Sequence, residues 1–249
     1  MAKLFVIAAL AAVALAGGSL RIPDHSVLLT EQQVAEINGK AATWTANYTL
    51  VHGMTKEQAR SMLGVYHKEH NFPKADWGAL PQNFKAPVKF DGRVRWPNCI
   101  NYIRDQQQCG SCWAFGATTV LSDRYCIKGR KLKLSPQYLV SCDDSNYDCE
   151  GGNEDVAWSF LEKVGAPLDS CVSYKSGTSG LKETCPKKCD NGSRMTLHKA
   201  KLTKSIAGVE SIQLEVMTNG PIEVMFEVFE DFYAYQSGVY QRTSDVSGG

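Results

Sequence analysis

The sequence predicts an α+β protein in two lobes, a helical one and then a β-rich one, behind a separate N-terminal segment. Three observations carry this. Helical patterns crowd residues 112–165, a strand alternation follows near 222–228, and all nine cysteines lie between Cys99 and Cys189. Helices first and strands later is the α+β order. With 249 residues, 43% hydrophobic and 21% charged, there is core enough for one or two domains. A formal net charge of +1 makes no basic field, so no nucleic-acid partner is expected.

From the N-terminus, Lys3 precedes an apolar run from Leu4 to Ala16. As a helix it would span only ~20 Å, short of the ~30 Å of a bilayer core. A basic residue, a short apolar stretch and Ala14-Leu15-Ala16 fit a signal peptide over residues 1–16, with no membrane span elsewhere. Residues 17–80 lack cysteine and carry two capped helix starts, at Thr30 and at Thr55. Pro73, Pro81 and Pro87 then mark an extended linker.

The body, residues 81–249, opens with a helix expected from Cys112 to Ile127, closed by Gly129. Ser135-Pro136 offers an N-cap and a first-turn proline for a shorter helix towards Cys142. A third helix is expected from Asn153, with Val156, Phe160 and Val164 inward and Gly165 as its stop. After Gly220-Pro221, Ile222, Val224, Phe226 and Val228 alternate with Glu223, Met225 and Glu227, the period of a strand with its apolar face inward.

The chemistry concentrates at Gln106-Gln107-Gln108-Cys109-Gly110-Ser111-Cys112-Trp113. C-x-x-C alone fits a zinc half-site, a redox dithiol or two separately bonded cysteines. Cys112 stands where a helix begins, and the orphan N–H groups there favour a thiolate and a lowered pKa. Nine cysteines in an oxidising compartment leave one unpaired, and a low-pKa thiolate is what nucleophilic catalysis uses.

This stretch resembles the nucleophile motif of papain-family cysteine proteases. So do Leu134-Ser135-Pro136-Gln137, Cys149-Glu150-Gly151-Gly152, Asn219-Gly220-Pro221 and Ser237-Gly238-Val239-Tyr240, in the same order. Trp113-Ala114-Phe115-Gly116, Ser122-Asp123-Arg124 and Trp96-Pro97-Asn98-Cys99 narrow the likeness to the cathepsin B branch. The resemblance implies a papain-like two-lobe fold, with a helical left lobe and a β-barrel right lobe incomplete in this chain, behind an inhibitory propeptide. It implies Cys112 as nucleophile and Gln106 as side-chain donor of the oxyanion hole. Gly151 and Gly152 become the rail for an extended substrate, and Gly110, Ser111 and Trp113 further substrate-binding positions. Four disulfides are implied, Cys99–Cys126, Cys109–Cys149, Cys142–Cys185 and Cys171–Cys189, leaving Cys112 free. The implied partners are protein and peptide substrates, the chain's own propeptide and cystatin-like inhibitors. No cofactor and no metal are expected. The implied place is the secretory route, towards a lysosome-like vesicle, a vacuole or the outside of the cell.

Departures from the family pattern sharpen the expectation. Gln107 stands where the family has glycine, so a turn with φ > 0 there would be strained. Asn153-Glu154 replaces the usual Tyr-Pro after the glycine pair. Only thirteen residues separate Cys171 from Cys185, none of them histidine, so the insertion that blocks one end of the cathepsin B cleft is absent or severely shortened. That favours endopeptidase over carboxydipeptidase action. The family's catalytic histidine follows the glycines matching Gly248-Gly249, where this sequence ends, and His25, His52, His67, His70 and His198 match no catalytic position. The expectation is a cysteine endopeptidase zymogen, truncated before its base and inactive as it stands. A non-catalytic decoy or binding protein, and a thiol–disulfide oxidoreductase using Cys109 and Cys112, are the alternatives.

Overall fold

A computed structural model describes residues 24–65, 73, 84–100 and 102–248. The expected signal peptide and most of the proline linker lie outside these residues. The elements run α1 (Glu31–Lys40), β1 (Trp44–Ala46), α2 (Lys56–Ser61), α3 (Gly92–Arg95), α4 (Cys112–Ile127) and α5 (Pro136–Cys142). They continue as α6 (Glu154–Lys163), α7 (Ser176–Ser179), α8 (Val209–Asn219) and β2 (Tyr235–Gly238). No helix among the described residues is long and apolar enough to cross a membrane.

The helical lobe is built on α4, whose Trp113, Ala114, Ala117 and Leu121 are buried against Leu134, Tyr138, Leu139 and Val140 around α5 and against Ala157 and Leu161 of α6. Its sequence signals act as expected. Ser135 Oγ accepts from the Tyr138 N–H with Pro136 in the first turn. Gly129 and Gly165 stand at φ +84° and +92° just past α4 and α6, where a Cβ would be strained. One face is reassigned: α6 buries Ala157 and Leu161, while Val156, Phe160 and Val164 are only half-buried. α6 meets the lobe through its smallest side chain and one leucine, which the apolar spacing alone did not single out.

The N-terminal segment has its own core. Thr30 and Thr55 each close a capping box, with Gln33 and Gln58. Leu28, Leu29, Val34, Ile37, Trp44, Val51 and Ala59 then pack with Ala234 from the far end of the chain. β1 pairs antiparallel with β2, Trp44 opposite Gly238 and Ala46 opposite Tyr235. The Trp44 indole donates to the Gln241 carbonyl at 2.8 Å, and the Asn47 N–H to the Ala234 carbonyl at 2.7 Å. A Cβ on Gly238 would stand 2.4 Å from the Thr43 carbonyl oxygen, so only glycine lets these backbones close. Local sequence spacing carries no sign of this pairing, because its partners lie nearly two hundred residues apart.

The expected strand at 222–228 is corrected. Its residues form no ladder among the described elements, and Val224 and Phe226 are exposed while the Glu223 carboxyl turns inward. An alternating segment buries its apolar face only where a second layer covers it, and here Ile222 and Val228 are half-buried while Val224 and Phe226 stay exposed. Arg124 of α4 ties this region to the helical lobe, pairing with Glu215 of α8 at 2.6 Å and donating to the Pro221 and Gly220 carbonyls.

Gln107 adopts φ +55°, with its N–H held by Asp105 Oδ1 at 2.8 Å, so the anticipated strain is present. A left-handed residue with a Cβ costs ~1–2 kcal/mol, part of which glycine returns as extra freedom in the unfolded chain. Gln107→Gly is therefore expected to stabilise the fold by ~0.5–1 kcal/mol, read from urea unfolding midpoints. A destabilised variant would show that the Gln107 side chain contributes more than its backbone costs.

Candidate active site

The site begins with the turn that leads into α4. Cys109 is bonded to Cys149, and the Gly110 N–H donates to the Cys149 carbonyl at 2.8 Å. That fixes Ser111, fully buried, as the N-cap of α4 and places Cys112 as its first residue. The other three disulfides join Cys99 to Cys126, Cys142 to Cys185 and Cys171 to Cys189. Cys112 is the free cysteine. All four pairings are those the resemblance implied.

Residues 62–65 of the N-terminal segment lie across this turn. Gln106 Nε2 donates to the Met62 carbonyl at 2.6 Å and to the Cys109 carbonyl at 3.0 Å. The Gly152 N–H donates to the Gly64 carbonyl at 2.8 Å, and Val65 bridges Gly152 in parallel. The approach is close enough that a Cβ on Gly64 would stand 2.1 Å from the Gly110 carbonyl oxygen. Gly110 faces the same segment, its own Cβ position lying 2.9 Å from the Leu63 carbonyl oxygen.

Behind the glycine pair, Asn146 accepts from the Asn153 N–H at 2.8 Å and donates to Asp143 at 2.8 Å. Gly151 stands at φ +122°. A Cβ on Gly152 would meet Asn146 Oδ1 at 2.7 Å and the Trp113 ring at 2.8 Å. The further positions expected to bind substrate, Gly110, Ser111 and Trp113, are all buried, and Gly110 faces the covering segment. Trp113, 1% exposed, supports Gly152 from behind. A helix that must pack its first turn against the lobe turns that indole inward.

The Cys112 thiol departs from the expectation. Its pKa is raised, first by burial, with the nearby Glu223 carboxyl adding to the effect. The backbone N–H groups of Trp113, Gly64 and Cys112 itself pull the other way without prevailing. The helix start acts as anticipated, but desolvation by burial outweighs it.

Glu223 is a residue that sequence reasoning placed on the outward face. Its Oε2 accepts from the Trp158 indole at 2.6 Å, and its Oε1 stands 2.2 Å from where a Gly116 Cβ would be. Gly116 is one helical turn beyond Cys112, so the missing side chain there makes the notch that admits the carboxyl. Burial, with Glu154 adding, pushes Glu223 up to about 8. Tyr174 was also missed, and no spacing or motif marks it. Its hydroxyl donates to the Gln106 carbonyl at 2.8 Å and stands 2.9 Å from Ser111 Oγ.

A fixed amide donor, a free thiol at a helix start and a glycine rail are the parts of an acyl-transfer site on a peptide. Residues 86–248 match the papain family cysteine protease model, and the chain belongs to that family. Within it the chain is cathepsin B-like and has the papain-like fold. It is 38% identical over 233 residues to Cathepsin B-like CP3 of Giardia intestinalis, covering 89% of this chain and 76% of that protein. To Cathepsin B of Dictyostelium discoideum it is 39% identical over 207 residues, covering 75% of this chain and 66% of that protein. Among solved structures, proCathepsin B S9 from Trypanosoma congolense superposes with a TM-score of 0.83 at 28% identity, over 90% of this chain and 81% of that one. The family makes this a cysteine peptidase.

Glu223 supplies a pH test. A carboxyl raised from 4.5 to about 8 keeps in the fold a proton that the unfolded chain releases. Stability is therefore lost as pH rises through that window. Glu223→Gln is expected to narrow the difference in denaturant midpoint between pH 5 and pH 8.5. An unchanged difference would mean that Glu223 titrates as an ordinary surface carboxyl.

Proposed function

We propose that this chain is a cysteine endopeptidase zymogen, with Cys112 as nucleophile, Gln106 as side-chain donor to the oxyanion, and residues 17–80 as the inhibitory propeptide. The observation that carries it is the pair of contacts made by one short segment. Met62 presents its carbonyl to Gln106 where a scissile carbonyl would stand, while Gly64 and Val65 pair with Gly152 where a substrate backbone would pair. The Val65–Gly152 bridge is parallel, in keeping with a segment that runs opposite to a substrate and so offers no correctly polarised peptide bond.

Hydrolysis also needs a proton acceptor. Among the described residues His25 pairs with Glu57, His52 packs on Tyr48 and His198 packs on Tyr125. None of these three meets Cys112, so none of them serves as its proton acceptor. The short stretch of thirteen residues between Cys171 and Cys185, with no histidine in it, supports the endopeptidase reading. Four formed disulfides fit passage through an oxidising compartment. A Cys109–Cys112 dithiol is disfavoured because Cys109 is already bonded to Cys149.

Release in acid has little support at the interface. Asp24 is held below its ordinary value, and the cause is Ser26 of the same segment. Among the described ion pairs, the one that crosses between the segment and the body is Lys56 to Glu230 at 3.2 Å. Cleavage in the 73–87 linker is the better trigger.

Two variants test the reading. Cys112→Ala is expected to abolish labelling by thiol-directed peptide epoxides, and undiminished labelling would refute the nucleophile. Gly64→Ala puts a Cβ against Gly110 and should lift the segment, because overpacking of this kind costs ~1–3 kcal/mol, about tenfold in Cys112 alkylation rate. Equal alkylation of Gly64→Ala and the parent chain would show that the segment is no plug.

A further inference from the structure

The described contacts include a part-buried hydroxyl, that of Tyr174, which the proposed chemistry does not use. Tyr174 stands in the small loop closed by Cys171–Cys189, just ahead of α7. Its ring meets Phe115 of α4 edge-on, with centroids 4.7 Å apart and planes at 86°. The ring is held from the other side as well, since a Cβ on Gly177 would stand 2.6 Å from Tyr174 Cε1. Held in that way, the phenol has one place to point. Its oxygen lies 2.8 Å from the Gln106 carbonyl oxygen and 2.9 Å from Ser111 Oγ.

These two partners carry the donors of the proposed oxyanion hole. Gln106 carries the side-chain amide, and Ser111 is the residue whose peptide bond supplies the Cys112 N–H. They belong to a loop and to a helix start, joined by the strained turn at Gln107 and by the Cys109–Cys149 bond. Two donors act on one oxygen only if their separation is fixed to a few tenths of an ångström. A shared hydroxyl bonded to both carriers supplies that constraint directly. Burial raises the Tyr174 pKa, so the phenol keeps its proton at neutral pH. It can then donate to the Gln106 carbonyl while accepting from Ser111.

We propose that Tyr174 is a positioning residue for the oxyanion hole, its hydroxyl fixing Gln106 relative to the start of α4. The inference rests on the proposed role of Gln106. It extends that role to a loop with no other assigned part in the chemistry.

The full chain allows a direct test, because the Gln106 amide holds the Met62 carbonyl and the Gly64 N–H of the same segment acts on the Cys112 thiol. The rate of Cys112 alkylation by iodoacetamide then reports how firmly the Gln106 amide holds that carbonyl. Tyr174→Phe keeps the ring packed on Phe115 and removes only the hydroxyl, and it should raise the rate roughly three- to tenfold, the size of one good hydrogen bond. Gln106→Ala should raise it at least as much. Adding Tyr174→Phe to Gln106→Ala should have less than half its original logarithmic effect, because the phenol acts through Gln106. An unchanged rate in Tyr174→Phe would overturn the inference. An equal factor in both backgrounds would overturn it too, marking Tyr174 as a loop-stabilising residue only. If Gln106→Ala itself leaves the rate unchanged, the oxyanion-hole reading fails first and this inference fails with it.

Discussion

Every group at the cleft is held relative to the Cys109–Cys149 disulfide, which ties the turn before α4 to the turn before α6. A cross-link closing a loop of 40 residues contributes ~4 kcal/mol in the chain-entropy account. Its larger consequence is geometric. It sets the turn that carries Cys112 beside Gly151 and Gly152, the surface proposed for substrate. Asn146 and Trp113 then fill the space behind the rail, and the Gly110 amide is bonded to the Cys149 carbonyl. Relaxing this bond would separate the thiol from the surface on which a substrate must lie.

Autoinhibition in this account follows from the same clamp. The segment at 62–65 uses the features a substrate would use, the Gln106 amide and the Gly152 amide, and is anchored at a distance by β1 on β2. The anchor has a core of its own around Trp44, so docking does not rest on the cleft contacts alone. Covering the thiol also changes its chemistry. Burial raises the Cys112 pKa above its ordinary value, while the Gly64 N–H of the covering segment pulls it the other way. Lifting the segment would return water to the sulfur and leave the backbone N–H groups at the helix start to act on it.

Much of this was legible in the sequence, for reasons that differ from residue to residue. The caps at Thr30, Thr55 and Ser135 are local chemistry, and each structure-defining hydrogen bond lies within a few residues of its partner. The extent of α4 follows from apolar spacing and Gly129. The four disulfides were legible only through resemblance, since nothing in the spacing of nine cysteines selects one pairing. What could not be read were contacts made by distant residues. Glu223 was placed outward because alternation assumes a covered sheet, and the notch at Gly116 that draws it inward is a three-dimensional fact. Tyr174 is one of ten tyrosines and carries no mark of its role until the loop at 171–189 is folded. The thiol pKa was misjudged because burial, which no local motif reveals, outweighs the N–H groups at the helix start.

The central claim is that residues 62–65 occupy the substrate rail. Hydrogen exchange at the Gly152 amide tests it most directly, because that N–H donates to the Gly64 carbonyl at 2.8 Å. The account predicts slow exchange in the intact chain and fast exchange once the linker is cut and the N-terminal segment removed. The same exchange rate before and after removal would contradict it.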